Sequence, residues 1–170
     1  MRTIELLWSN PWPVSYLYER LKPEDHNRNP IPEMQNYGVY MYLDNVGRVR
    51  YVGQAFNKSD LALQKRIRWE IVKDGDGCTE SAFYQKCMKY NVDRLNLQVK
   101  VAELRNPCCE GSSNEIDCKF MNAIERALIF DRARAGDLLI NETGKRRYRL
   151  GPIDIINRGN IAPLSGRIVL

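Results

Sequence analysis

The chain has 170 residues, 44% of them hydrophobic and 28% charged, with 26 Lys+Arg against 21 Asp+Glu and one histidine. That length and apolar content describe one domain with a real core and exclude a disordered chain. No run approaches the ~20 apolar residues that span a bilayer, and a net charge of +5 suits an anionic partner such as nucleic acid without demanding one.

Residues 1–35 hold five of the eight prolines (Pro11, Pro13, Pro23, Pro30 and Pro32). They predict an N-terminal arm wrapped on the main body, with one short helix around Val14–Leu21. The opening MRTIELLWSNPWP lacks the apolar core of a signal peptide. Five cysteines (Cys78, Cys87, Cys108, Cys109, Cys118), an odd number, fit reduced thiols in a cytoplasmic protein. A structural zinc is disfavoured, because there is no C-x2-C pair and adjacent Cys108-Cys109 is poor ligand spacing.

Residues 36–55, NYGVYMYLDNVGRVRYVGQA, place two short apolar runs on either side of the turn Asp44-Asn45-Val46-Gly47. If Asp44 opposes Gly47, then Tyr40 faces Tyr51 and Tyr42 faces Val49 on one face of an antiparallel hairpin. Two packed tyrosines are also ordinary strand chemistry. After a polar loop, LALQKRIRWEIV predicts a helix capped by Ser59 or Asp60, with Leu63, Ile67 and Ile71 as its buried stripe. Arg66 and Glu70 lie four apart and can pair. The planar fork of Arg66 suits a phosphate lying over the sheet, although the commoner fate of such a pair is a surface salt bridge.

Residues 79–90 predict a second helix, and Asn96–Leu104 alternates as a third strand. A capping box, Ser112-Ser113-Asn114-Glu115, opens a long helix to about Ala135, with Gly136 as its stop. Phe120, Ile124 and Leu128 form its stripe, with Met121 and Ile129 beside it. Glu125 lies between those two on the stripe's margin, where a carboxylate needs a cation, either a metal or a partner such as Arg126 or Arg132. Asn141, in LLINETG, is placed to shape a turn or to serve a site. Positive charge gathers in Lys65-Arg66-Ile67-Arg68 and in Lys145-Arg146-Arg147-Tyr148-Arg149, with Trp69 and Tyr148 among the cations; each run is a nucleic-acid contact or a solvated face.

Taken in order, G-V-Y, Y-V-G-Q, a helix with R-I-R-W-E, a later helix with I-E-R-A-L-I, and L-I-N, the chain resembles the GIY-YIG nucleases. Short Gly-Tyr strings occur by chance; five ordered elements at these spacings are a strong signal. The resemblance covers residues 36–145. It implies an α/β (α+β) fold with a small three-stranded, mainly antiparallel sheet flanked by helices. Residues 1–35 would then be an N-terminal arm and 146–170 a basic C-terminal extension of the same compact domain.

Carried over position by position, the resemblance implies a catalytic set of Tyr40, Tyr51, Arg66, Glu125 and Asn141, with Glu125 holding Mg²⁺ (or Mn²⁺). Arg66 is preferred to Arg68, which falls on another helix face. Many members carry a histidine four residues after the arginine, where this chain has Glu70. Small size without further domains suggests a type II restriction endonuclease acting on double-stranded DNA, as a homodimer and away from membranes. Lys65, Arg68, Lys145, Arg146, Arg147 and Arg149 would hold the DNA. A phage or mobile-element nuclease of looser specificity, and a non-catalytic DNA-binding module, are the competing readings.

Overall fold

The computed structural model describes residues 2–23, 25–56, 60–72, 81–108, 118–142 and 152–169. The expected hairpin forms from β3 (Gly38–Leu43) and β4 (Val49–Ala55), and the expected third strand is β5 (Gln98–Cys108) beside β3. The sheet does not stop there, however. The expectation of a small three-stranded sheet is corrected by a curled, mixed sheet of seven strands, a half-barrel within an α+β fold.

Its order is β4-β3-β5-β1-β6-β7, with the two-residue β2 (Trp12–Pro13) paired to β5. The additional strands are β1 (Arg2–Trp8), β2, β6 (Ile153–Gly159) and β7 (Arg167–Val169), all drawn from segments read as an arm and an extension. Their cause is local and apolar. Ile4, Leu6 and Trp8 alternate and are buried, as are Ile153 and Ile155, and period-two burial is the signature of a strand with one covered face. Prolines begin only at Pro11, so they end β1's run without preventing it. β1 pairs antiparallel with β5 on one side and parallel with β6 on the other, so the N-terminal segment runs through the interior of the sheet.

Two cores result, one on each face. Helices α1 (Val14–Leu21), α2 (Ala62–Ile71) and α3 (Ala82–Lys89) cover the face that carries Tyr40, Tyr42, Tyr51, Val99 and Val101. Helix α4 (Cys118–Arg134) covers the other, through Phe120, Met121, Ile124 and Leu128 against Val39, Met41 and Val52 of the hairpin and Ile153 and Ile155 of β6. The capping box expected before α4 lies outside the described residues. On this second face Lys100 is buried, and its ammonium donates to the Asn160 carbonyl, to Asn160 Oδ1 at 2.8 Å and to the Ala162 carbonyl at 2.7 Å. That clamp ties the β6–β7 connection to the centre of the sheet.

The hairpin register differs from the expected one by two residues. Asp44 N–H donates to the Arg48 carbonyl, leaving a three-residue loop, Asn45–Gly47, that ends on Gly47 at φ 81°. Such loops close with a left-handed residue where glycine is at ease. A shift follows between Leu43↔Val49 and Tyr42↔Tyr51, so Arg50 is an extra residue in β4. Tyr40 therefore faces Gly53, not Tyr51, and Tyr42 takes the place opposite Tyr51. A shift of two preserves the face, and all three phenols stay together.

Candidate active site

The glycines of both motif strings have packing reasons. A Cβ on Gly38 would sit 2.1 Å from the Ala102 carbonyl oxygen, so glycine lets β3 approach β5. A Cβ on Gly53 would sit 2.4 Å from both Cζ and Oη of Tyr40. Gly53 therefore leaves the space in which the Tyr40 phenol lies across β4.

Helix α2 is seated over these phenols by the segment before β3. Leu61 occupies the cap position at φ 62° with no side-chain cap, where Ser59 or Asp60 was expected; Ser59 itself is outside the described residues. The start of the helix is tied by backbone instead: Leu61 N–H donates to the Gln35 carbonyl at 2.7 Å, and Leu63 N–H to the Asn36 carbonyl at 3.1 Å. Leu63, Ile67, Glu70 and Ile71 are all buried beneath it. Glu70 thus occupies the apolar stripe itself.

A carboxylate there is costly unless several donors meet it. Three do. Tyr40 Oη donates to Glu70 Oε1 at 2.6 Å, Tyr42 Oη donates to Oε2 at 3.1 Å, and Arg66 Nε lies 3.1 Å from Oε1. Arg66 Nε also donates to Tyr40 Oη at 3.1 Å. The Arg66–Glu70 pair is therefore no surface salt bridge: Glu70 is fully buried while a third of the Arg66 side chain reaches solvent. The Arg66 guanidinium also lies 4.7 Å over the Trp69 ring.

This environment sets the proton affinities. Burial raises Glu70, while Arg66 and the two phenolic bonds oppose it. Burial and then the Glu70 charge hold Tyr40 well above the ordinary phenol range, against the pull of Arg66. Tyr42 is raised in the same way, by burial and then by Glu70. For Tyr51 burial, Glu70 and Glu125 raise the phenol and Arg66 lowers it. Burial works against the charge of Arg66, but Tyr40 and Glu70 keep it protonated. Each of the three phenols therefore stays protonated at neutral pH.

Tyr51 stands nearer the surface, 5% exposed where Tyr40 is 0%, with Lys86 Nζ 5.6 Å over its ring. Glu125 approaches from α4, which packs along edge strand β4 from the opposite face of the sheet. Its carboxyl is half-buried and pushed up to about 7, first by burial, with Arg66 opposing, Glu70 adding to the rise, and Lys86 and Arg126 opposing. Arg66 and Glu70 act on Glu125 and on Tyr51 alike, and Glu125 acts on Tyr51 in turn, so Glu125 lies within electrostatic reach of the cluster.

Glu125 fits a magnesium ion as a lone anchor. Mg²⁺ keeps several waters and takes one or two carboxylates plus phosphate oxygens. A half-buried carboxyl governed by burial and nearby charges, with no side-chain hydrogen bond among those influences, is open to such a role. No group of three or more His, Cys, Asp or Glu that could cage a metal occurs among the described residues. Cys87 is buried in the core under α3, and the side chains of the other four cysteines lie outside the described residues.

Asn141 stands apart from the polar cluster. Its Oδ1 accepts from Val52 N–H and its Nδ2 donates to the Val52 carbonyl, both at 2.9 Å, while Ile140 N–H donates to the Arg50 carbonyl at 2.7 Å. Residues 140 and 141 thereby act as a short partner for the open edge of β4 and fix the strand that carries Tyr51. Arg68 is also occupied elsewhere, donating to the Leu21 carbonyl at 2.8 Å at the end of α1. Lys65 is exposed beside Arg66. Lys145, Arg146, Arg147 and Arg149 lie outside the described residues.

The sequence reading missed Glu70 and Tyr42 as members of the cluster. Both carried a signal. Glu70 is seven residues after Leu63 and so on its stripe, and Tyr42 has the same strand parity as Tyr40. The chain matches no protein-family model, no curated protein and no solved structure.

Proposed function

We propose that this chain is a metal-dependent endonuclease of the GIY-YIG kind, hydrolysing phosphodiester bonds of double-stranded DNA as a site-specific restriction enzyme. One observation carries the reading. Tyr40 of β3 and Arg66 of α2 contact the buried Glu70 carboxylate, Tyr51 of β4 and Glu125 of α4 lie within its electrostatic reach, and these four are the residues that the motif order singled out. The enzyme would act in the cytoplasm, and a homodimer would cut both strands of a symmetric site. No helix among the described residues is long and apolar enough to cross a membrane.

Phosphodiester hydrolysis needs charge neutralised on the phosphate, a proton taken from water, and a stabilised leaving oxygen. Arg66, charged and partly exposed, meets the phosphate. Turning toward it would release the Tyr40 oxygen and strip Glu70 of its guanidinium partner, raising the proton affinity of Glu70 further. A water could then give its proton to Tyr40 Oη as Tyr40 passes its own to Glu70 Oε1 across the 2.6 Å bond. Tyr51, at the margin, would orient that water. Mg²⁺ on Glu125 would supply Lewis-acid withdrawal of charge from the phosphate and the leaving oxygen.

The complete burial of Tyr40 and the engagement of Arg66 Nε favour a second reading, a DNA-binding module without turnover. Plasmid nicking with Mg²⁺ and then with EDTA decides. Conversion of supercoiled to open-circular or linear DNA, abolished by EDTA, supports the enzyme. Salt-dependent retardation of the DNA without any nicking supports the module.

A further inference from the structure

Trp69 is an aromatic ring within a basic run, and the chemistry above leaves it without a task. Beside it lies a cleft of about 390 Å³, lined by Gln54, Phe56, Lys65, Arg66 and Trp69 among others. That volume is within the range of roughly 300–1,000 Å³ of small-molecule sites. Lys65 and Trp69 are four residues apart on α2 and share a face, while Arg66 belongs both to the cleft and to the Tyr40–Glu70 cluster. The cleft therefore adjoins the place where the scissile phosphate would sit.

We propose that this cleft binds a deoxynucleotide flanking the scissile bond, its base unstacked against Trp69 and its phosphate on Lys65 and Arg66. The inference rests on the DNA reading above and adds a base-recognition site to it. Planar aromatic walls accept any base by stacking, and cations hold its phosphate. Gln54 supplies discrimination. Its Nε2 donates to Asn122 Oδ1 at 3.3 Å, while its Oε1 is buried and has no hydrogen-bond partner among the described residues. Gln54 lines the cleft, so a turn of its amide would present this unpartnered acceptor to a ligand that brings a donor. The exocyclic amines of adenine, cytosine and guanine do so. Thymine's one ring N–H lies between two carbonyl oxygens, which would face the same acceptor. Amine-bearing bases should therefore be preferred by about 3- to 10-fold, the worth of one net hydrogen bond.

The test uses the full chain in EDTA, so that binding is read without cleavage. Each of the four deoxynucleoside 5′-monophosphates is titrated into the millimolar range while tryptophan fluorescence is followed. The expected result is quenching that is lost in Trp69→Phe, weakened for all four nucleotides in Lys65→Ala, and about 3- to 10-fold weaker for dTMP than for the others. Gln54→Leu should bring dTMP level with the rest, and circular dichroism shows whether that variant is folded. Because Lys65 is exposed, Lys65→Ala tests the site even if the Gln54 variant is not. No quenching by any nucleotide, or quenching unchanged in Trp69→Phe and so arising from Trp8 or Trp12, overturns the inference. Equal affinity for all four in the unmodified chain overturns the role of Gln54. Plasmid nicking with Mg²⁺ distinguishes the two readings: nucleotide binding without nicking removes the nuclease and leaves the cleft, whereas nicking without nucleotide binding removes the cleft alone.

Discussion

Gly53→Ala is the substitution by which the architecture of the cluster is most directly tested. The new Cβ would lie 2.4 Å from Tyr40 Cζ and Oη, and ordinary contact begins at 3.4 Å, so the phenol must retreat by the difference of 1.0 Å. Tyr40 is fully buried and cannot move freely. A retreat along the hydroxyl–carboxylate direction would stretch its bond to Glu70 to about 3.6 Å, which is no longer a hydrogen bond. Overpacking costs about 1–3 kcal/mol and the loss of a bond to a charged group ~1.5–3, so a destabilisation of about 3 kcal/mol is expected. Urea unfolding followed by circular dichroism measures it as a lower midpoint at constant slope. Tyr40→Leu removes the far end of the ring, so in that background Gly53→Ala should cost little more, a coupling characteristic of residues in contact. If Gly53→Ala keeps the parent stability to within about 0.5 kcal/mol, or costs the same with Leu at position 40, the phenol does not lie where this argument needs it.

Glu125→Gln should retain the thermal unfolding midpoint and abolish Mg²⁺-dependent plasmid nicking; near-normal nicking would remove the metal assignment. Asn141→Ala deletes two hydrogen bonds to the Val52 backbone and should cost about 1–3 kcal/mol in urea, with faster amide exchange along β4 as the sign that the edge has opened. Replacing both Arg146 and Arg147 by alanine should weaken binding to cognate and scrambled duplexes alike and flatten the salt dependence by up to ~2 contacts' worth. Loss of specificity at one base pair would instead mean that an arginine reads a guanine edge.

What could be read before the fold was seen was whatever neighbouring residues decide among themselves. The hairpin, α1 and α2 rest on apolar spacing and turn residues only a few positions apart. Tyr40, Tyr51 and Arg66 lie on such elements, so their closeness was legible. Hairpin register was not readable to the residue, because a three-residue loop and an extra Arg50 each add one to the count. Sheet extent was obscured by prolines that follow β1 without belonging to it. Glu70 was expected to pair with Arg66, a pair whose commoner fate is a surface salt bridge, although it stands on the buried stripe of Leu63 and Ile67; Arg66 together with two phenols from β3 makes that position tolerable for an acid. Asn141 resembled a site residue, and its amide is spent on Val52, 89 positions away.

The parallel pairing of β1 with β6 also bears on the order in which the molecule is assembled. Trp8 aligns with Gly159, about 150 residues later, and contacts so distant in the chain close slowly. During synthesis β1 can pair with β5 as soon as that strand emerges, but its other edge stays unpaired until β6 leaves the ribosome. The apolar floor of α4 includes Ile153 and Ile155 of the same late strand. The tyrosines and Arg66 can therefore meet early, with α4 resting on the hairpin, while the part of its floor that β6 supplies arrives only with the chain beyond residue 153. A chain cut before β6 would keep the Tyr40–Arg66–Glu70 cluster while α4 rested on the hairpin alone, so the position of Glu125 would be the last part of this neighbourhood to be fixed.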